Sequence, residues 1–393
     1  LVRVLHIHTR LIRGGADENT LFTVNRLDPA KYEVALAVGG GSERDMLQRV
    51  HSRVRVEEVP ELVRDVRPRQ DLVALHKLRR IIRAGRYHIV HTHTAKGGIL
   101  GRIAAKAAGA PVIVHTLHGS TFHGAVGRIP HAVYWSLEKL TAAFTDRIIS
   151  VGDDLRRRYL EAGIGRADQY GVILSGMELD EFEAASRMSP DRRADIRASL
   201  GVPADAPLVG KVARLEARKG YTYYFDMAER VLARIPKAYF LGIGAGEQHE
   251  ELRAEAARRG LAARVGFPGF RSDIAEVIGA LDVVVLTSLW EGLPRVLVQA
   301  AACGVPTATF EVEGAREVVK EGVNGHVVPA RDVEALADRV SSLLADPARA
   351  RAMGLAGQAL VHDGWSVTSM VRQIEAVYDS LCERRNGNSP CGS

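Results

Sequence analysis

The chain has 393 residues, 46% hydrophobic and 25% charged, with a formal charge of +6 at pH 7. That balance excludes a disordered or fibrous polypeptide and leaves room for two ordinary domains. No apolar run approaches the roughly 20 residues that cross a bilayer and no signal peptide is legible, while the scattered Cys303, Cys382 and Cys391 lack metal-ligand spacing; a reduced cytosolic protein is the expectation.

Short apolar runs alternate with amphipathic stretches along the chain. In the first half they predict strands over Val2 to His8, Tyr32 to Val38, Val54 to Glu58, His88 to His93, Pro111 to Leu117 and Arg147 to Val151. Helices are expected over Ala16 to Leu27, Asp71 to Ala84 and Gly98 to Ala108. Strand, helix, strand at this rhythm reads as βαβ units around a parallel sheet. Residues 177 to 207 are charged and lack a buried strand. The rhythm then resumes, with strands expected over Leu208 to Ala213, Ala238 to Ile243, Ala263 to Phe267, Val283 to Thr287 and Thr307 to Glu311. Helices between them are expected over Tyr221 to Ile235, Gln248 to Arg259, Ile274 to Ala280 and Arg295 to Cys303. The fold class is therefore α/β, with two doubly wound, Rossmann-like parallel-sheet domains facing across a cleft. The expected boundaries are 1–176 and 177–365, with a hinge near Leu174 to Asp180. A last helix, with apolar residues at helical spacing from Val367 to Tyr378, is expected over about 366–382. The polar tail 383–393 is expected to be disordered.

Basic residues crowd one N-terminal stretch: Arg64, Arg67, Arg69, Lys77, Arg79, Arg80, Arg83 and Arg86. Such a patch suits anionic lipid or an anionic substrate. Few aromatics interleave with it, which argues against nucleic acid.

Two constellations carry chemistry. Arg214 and Lys219 flank a strand-to-helix turn, where a helix N-terminus adds backbone donors for a diphosphate. Glu291 follows the apolar strand ending at Thr287 and precedes a helix opened by Pro294. Its side chain suits sugar hydroxyls, or simply caps that helix. Gly242-x-Gly244-x-Gly246 follows a strand too tightly spaced for a dinucleotide fingerprint; it is a tight turn or lines a nucleotide. His91 and His93 share a strand face, and His115 and His118 end the next strand, but zinc needs three or four convergent ligands, so no metal site is expected. No Ser-His-Asp arrangement or glycosidase carboxylate pair is legible.

With these motifs on the page, the chain resembles the family-4 retaining glycosyltransferases of GT-B architecture. The resemblance rests on Gly14-Gly15 after the first strand, His91-Thr-His-Thr-Ala-Lys-Gly-Gly98, His115-Thr-Leu-His-Gly119, the Arg214 to Gly220 run and Glu291-Gly-Leu-Pro294. It spans about Val2 to Tyr378. It implies that the second domain binds a nucleoside-diphosphate sugar, UDP-linked by preference, and the first an acceptor. Arg214 and Lys219 would hold the diphosphate, and Gly14 and Gly15 would let the first loop approach it. Glu291, with the amides of Gly292 and Leu293, would bind the donor sugar, which His118 would also face. Phe267 to Arg271, including Phe270 and Arg271, and Gly244 would line the nucleotide. Arg10, His93, Lys96 and Thr121 to His123 are acceptor candidates. The last helix would cross back to the first domain. The family's second Glu falls on Gln299, which keeps an acceptor for the ribose but loses the charge.

The implied reaction is hexosyl or N-acetylhexosaminyl transfer with retention by front-face attack, in cell-surface polysaccharide or glycoconjugate synthesis. The acceptor class includes lipid-linked molecules at the inner face of the membrane. The sequence has no Asp-x-Asp to hold a cation, so no cofactor or metal is expected. Two alternatives stand beside this one: a GT-B sugar-nucleotide 2-epimerase, and a non-catalytic nucleotide-sugar or membrane-surface binding protein. Donor sugar, acceptor and oligomeric state are not legible.

Overall fold

The computed structural model describes residues 1–12, 14–119, 128–291, 293–362 and 364–386, with the backbone alone at 128–131 and 385–386. Its strands form two parallel sheets. The first holds β1 (Val2–His8), β2 (Tyr32–Gly39), β3 (Arg55–Val59), β4 (Ile89–His93), β5 (Val112–Leu117), β6 (Arg147–Ser150) and β7 (Tyr170–Val172), in the order β3-β2-β1-β4-β5-β6-β7. The second holds β8 (Leu208–Val212), β9 (Tyr239–Ile243), β10 (Val265–Gly269), β11 (Val283–Leu286), β12 (Thr307–Phe310) and β13 (Gly325–Val328), in the order β10-β9-β8-β11-β12-β13. The central strands are buried on both faces because helices cover both.

Each sheet has its own core. In the first, Val4, Leu36, Ile89 and Val114 pack on the last helix, Val367–Asn386, through Val367, Met370, Val371, Ile374 and Tyr378. Leu5, Ile7, Val90 and Ile113 face the other way, toward helices Pro68–Gly85 and Ala95–Ala108. In the second, Val209, Phe240, Val283 and Phe310 join Tyr224, Phe225 and Leu336. The chain divides into two compact units, Glu178–Gly364 and a unit made of Leu1–Met177 with the chain from Trp365 onward. Within the latter, Met177 N donates to Trp365 O at 2.8 Å, tying the outgoing strand of chain to the returning one.

Two edge strands, β7 and β13, are absent from the sequence expectation. Tyr-Gly-Val and Gly-His-Val-Val are too short and too glycine-rich to stand out as apolar runs. The last helix also continues to Asn386, past the expected start of a disordered tail at Glu383. Leu381 and Cys382 are buried, and Glu and Arg are good helix formers. Residues 387–393 lie outside the described residues. Among the described residues no helix is long and apolar enough to cross a membrane.

Strand order reverses once in each sheet, between β1 and β4 and between β8 and β11. Loops leaving such neighbouring strands run to opposite sides, and a crevice opens beyond the carboxyl ends. The motif residues cluster at those two points.

Candidate active site

In the second unit the loop after β8 meets the loop after β11. Lys219 Nζ lies 2.6 Å from Glu291 Oε1, both side chains being 12% exposed. The sequence reading gave these two residues to the same ligand; the structure pairs them with each other. Glu291 does not cap the following helix, Arg295–Ala302, whose N-cap position is Pro294. Beneath the pair, buried Lys211 of β8 donates from Nζ to Lys219 O and to Thr287 Oγ1. Its ammonium also lies 4.6 Å from the centre of the Tyr221 ring. Burial, then the neighbouring Lys219, pushes the Lys211 pKa well below the usual lysine range. Thr287 Oγ1 donates to Gly220 O at 2.8 Å, and Leu289 N to Arg218 O at 2.9 Å. Gly220 is required here: its φ is +64°, and a Cβ would stand 2.2 Å from Thr287 O.

Arg214 lies on the same β8 loop, exposed; among the described residues no carboxylate pairs with it. Gly244 sits against the backbone of Ala213, where a Cβ would come within 2.1 Å of its carbonyl oxygen. Gly244 therefore fixes the loop that carries Arg214. Phe267 turns inward, its ring 6.0 Å from those of Tyr221 and Phe225. That corrects its expected place beside a nucleotide: an apolar ring at this strand end is worth more in the core. Phe270 is 72% exposed. Arg271 forms a bidentate pair with Asp273 at 2.8 and 2.6 Å. Leu293 and Gln299 are half-buried, the Gln299 carboxamide having no partner among the described residues. Gly292 lies outside the described residues.

In the first unit the register gathers histidines. His6 of β1 pairs with His91 of β4, and His93 with Thr116 of β5. Register partners in a parallel sheet point to one face, so His6, His8, His91, His93 and Thr116 share it. Thr92 and His115 point to the other, where His115 Nδ1 lies 2.9 Å from Thr92 Oγ1. There Gly98 makes room: a Cβ would stand 2.4 Å from the His115 ring. His93 bridges His6 and His118, at 2.9 and 3.2 Å. Burial lowers the pKa of His6 to about 3, of His8 to about 4 and of His118 to about 3. His91, His93 and His115 are pushed well down by burial, and then by neighbouring histidines, with Arg102 first among the neighbours of His115.

A cavity of about 660 Å³ opens at this switch point, lined by His8, Arg10, Asp17, Arg64, Lys96, Thr116 and His118 among others. Asp17 Oδ1 accepts from Ile12 N at 3.0 Å, and burial raises its pKa to about 6. Gly14 is the N-cap position and Gly15 the first residue of helix Gly15–Arg26. Thr94 also lines the cavity with φ 60°, a strained conformation for a β-branched residue of the kind found at functional sites. Of the acceptor candidates, Arg10 and Lys96 line the cavity, but Lys96 is buried and paired with Asp71 at 2.6 Å. His93 does not line it: both its ring nitrogens are committed to other histidines. Thr121 to His123 lie outside the described residues.

Sequence reasoning missed His6, Lys211, Thr287 and Tyr378. A lysine inside the apolar run Leu-Val-Gly-Lys-Val, and a histidine inside Val-Leu-His-Ile-His, are the signals that could have raised the first two. Donor atoms of His6, His91 and His93 lie within 4.8 Å of one another, so the register supplies a third nitrogen that spacing alone did not.

Two parallel sheets with charged loops at one switch point and a polar cavity at the other describe an α/β protein with ligand sites at its strand ends. Comparison agrees. Residues 14–176 match the glycosyl transferase 4-like domain, and residues 192–359 the glycosyl transferases group 1 model. The UDP-Gal:alpha-D-GlcNAc-diphosphoundecaprenol alpha-1,3-galactosyltransferase of Escherichia coli is 28% identical over 85% of this chain and 85% of its own. The GDP-mannose-dependent alpha-(1-6)-phosphatidylinositol monomannoside mannosyltransferase of Mycolicibacterium smegmatis is 32% identical over 68% of this chain and 69% of its own. The crystal structure of Anabaena HepE in complex with UDP superposes with a TM-score of 0.82 at 24% identity, covering 96% of this chain and 100% of that one. The chain belongs to the glycosyl transferases group 1 family and has the GT-B architecture.

Proposed function

We propose that this protein is a retaining, metal-independent hexosyltransferase that moves a sugar from a UDP-sugar to a hydroxyl of a lipid-linked acceptor. The observation that carries this is the charged loop pair at the second switch point: Lys219 held 2.6 Å from Glu291, with Arg214 exposed on the same loop. A diphosphate takes the two cations, and the freed Glu291 carboxylate accepts from sugar hydroxyls. Until a donor binds, each charge of the pair neutralises the other. Phe270 offers an exposed ring to the base and Gln299 a carboxamide to the ribose. HepE's complex with UDP-glucose, at 25% identity, favours a UDP donor, as does the UDP-Gal of the Escherichia coli relative.

In the reaction the bond from the anomeric carbon to the phosphate oxygen breaks, and the bond to the acceptor oxygen forms on the same face. The departing phosphate oxygen takes the acceptor proton. Arg214 and Lys219 stabilise the charge that develops on the diphosphate. His118, at the first-unit cavity, orients the sugar. Both named relatives make alpha linkages, which from an alpha-linked donor is retention.

The acceptor reading rests on the cavity rim. Arg64 and Val66 line the cavity; Val66 and, on the following helix, Leu72 are 66% and 68% exposed, in a stretch that also carries exposed Arg67, Arg69, Arg80 and Arg83. Exposed apolar side chains in a predominantly basic stretch suit the interface of an anionic membrane. Both named relatives carry lipid moieties, diphosphoundecaprenol or phosphatidylinositol, in their names. The 2-epimerase alternative has no counterpart among these relatives.

The test is transfer in EDTA from a panel of UDP-, GDP-, ADP- and TDP-sugars to lipid-linked acceptors in anionic and neutral vesicles, with the product anomer read by proton NMR. The expected result is a retained anomer from a UDP-sugar, faster on anionic vesicles. An inverted anomer, or transfer only after Mg²⁺ or Mn²⁺ is restored, contradicts the proposal.

A further inference from the structure

Behind the first-unit cavity, six side chains form one continuous hydrogen-bonded chain. His118 Nε2 meets His93 Nδ1 at 3.2 Å, and His93 Nε2 meets His6 Nδ1 at 2.9 Å. His6 Nε2 meets the Tyr378 hydroxyl at 3.3 Å, and that hydroxyl meets His91 Nδ1 at 2.5 Å. His91 Nε2 ends the chain on Thr116 Oγ1 at 2.7 Å. Tyr378 comes from the last helix and is fully buried.

A metal ion does not explain this cluster. Two ligands of one tetrahedral zinc, each about 2.0–2.1 Å from the ion, sit about 3.3 Å apart. The 2.9 Å between His6 Nδ1 and His93 Nε2 is that of an N–H···N bond, and the two rings are nearly parallel, at 12°.

A neutral imidazole has one N–H and one lone pair. Every ring in the chain spends both nitrogens, apart from His118 at its end. With the phenol O–H donated within the chain, only two proton arrangements are self-consistent, running in opposite directions. Tyr378 decides between them. Hydrogen bonds donated by O–H are shorter than those donated by N–H. The 2.5 Å contact is therefore Tyr378 O–H donating to His91 Nδ1, and the 3.3 Å contact is His6 Nε2–H donating to the phenol oxygen. His6 Nδ1 must then accept from His93 Nε2–H, and His93 Nδ1 from His118 Nε2–H. The lone pair left over is on His118 Nδ1, on the ring that lines the cavity.

We propose that Tyr378 is a positioning residue: through His6 and His93 its hydroxyl holds His118 as the Nε2–H tautomer, so that Nδ1 faces the cavity as an acceptor for a substrate hydroxyl. Which nitrogen of a histidine carries the proton is set by the bond the other nitrogen makes, and here that control is passed along two more rings to a helix at the far end of the sequence. The use of the lone pair rests on the reading of His118 as facing the transferred sugar; the relay does not.

The experiment is long-range ¹H–¹⁵N correlation spectroscopy of the full chain labelled at histidine, without substrate at pH 7, together with transfer kinetics. In the wild type, His6, His93 and His118 should all be Nε2–H tautomers. An Nδ1–H tautomer at any of the three overturns the proposal, whether or not any variant folds. In Tyr378→Phe, which removes one oxygen and keeps the ring, His118 should become a mixture of tautomers. Its kcat should fall about ten- to a hundred-fold, the range for losing a group that orients a functional imidazole, with donor KM little changed. A single, unshifted His118 tautomer in Tyr378→Phe also overturns it. If the relay is seen but His118→Ala transfers at the wild-type rate, the sugar-facing reading fails and the relay stands.

Discussion

At the first switch point a network of neutral rings, bonded to one another, lies behind a cavity with charged lining; at the second, formal charges on two loops pair with each other. His6, His91, His93 and Tyr378 are buried and spend their hydrogen bonds inside the first unit. Lys219 and Glu291 are partly exposed and hold each other. Under the proposed function, the difference matches what each site would meet. A sugar or acceptor hydroxyl is neutral and needs a fixed donor or acceptor, which a packed network supplies without the cost of burying charge. A diphosphate brings charge of its own, so a site for one needs cations, here held against an opposite charge that the ligand would displace.

Acid should break the comparison most strongly, because it acts on the first site's neutrality. The unfolded chain takes up protons at the ordinary histidine value of 6.5, whereas His6 in the fold does so at about 3. The unfolded state binds more protons between those values, so stability is full above pH 6.5 and is lost as pH falls. For His6 alone the loss at pH 5 is about 2 kcal/mol, and six further histidines shift in the same direction. Asp17, raised to about 6, opposes this by about 1 kcal/mol at pH 5. Thermal unfolding should therefore show Tm falling between pH 7 and pH 5; a flat or rising Tm means that the rings are not held neutral.

A smaller effect sharpens the other side. Gln299→Glu adds a charge at the second site and should tighten UDP binding about fivefold, the difference of ~1 kcal/mol between hydrogen bonds to charged and to neutral groups. Unchanged or weaker affinity would place the ribose away from this side chain.

The apolar rhythm carried most of the fold. Eleven strands were legible because parallel strands buried on both faces read as apolar runs, and the edge strands β7 and β13 were not because three or four residues with glycine leave no such run. The shared loop of Arg214 and Lys219 was legible because one motif spans it. The site was not legible where register does the assembling. Nothing in the sequence says that His6 lies opposite His91, or that a tyrosine near the end of the chain closes the same network. The mutual pairing of Lys219 and Glu291 was hidden for the same reason, since β8 and β11 become neighbours only through the strand order. Phe267 was misplaced because a strand-end aromatic reads alike whether it faces the core or a ligand.

The central claim is that the second unit grips a nucleoside diphosphate with side-chain cations and no metal ion. Calorimetric titration of UDP in EDTA into the wild type, Arg214→Ala and Lys219→Ala tests it directly. The account predicts binding by the wild type and a loss of about 10- to 100-fold in each variant, as expected when a hydrogen bond to a charged group is removed. Binding that appears only with Mg²⁺, or wild-type affinity in both variants, would contradict it.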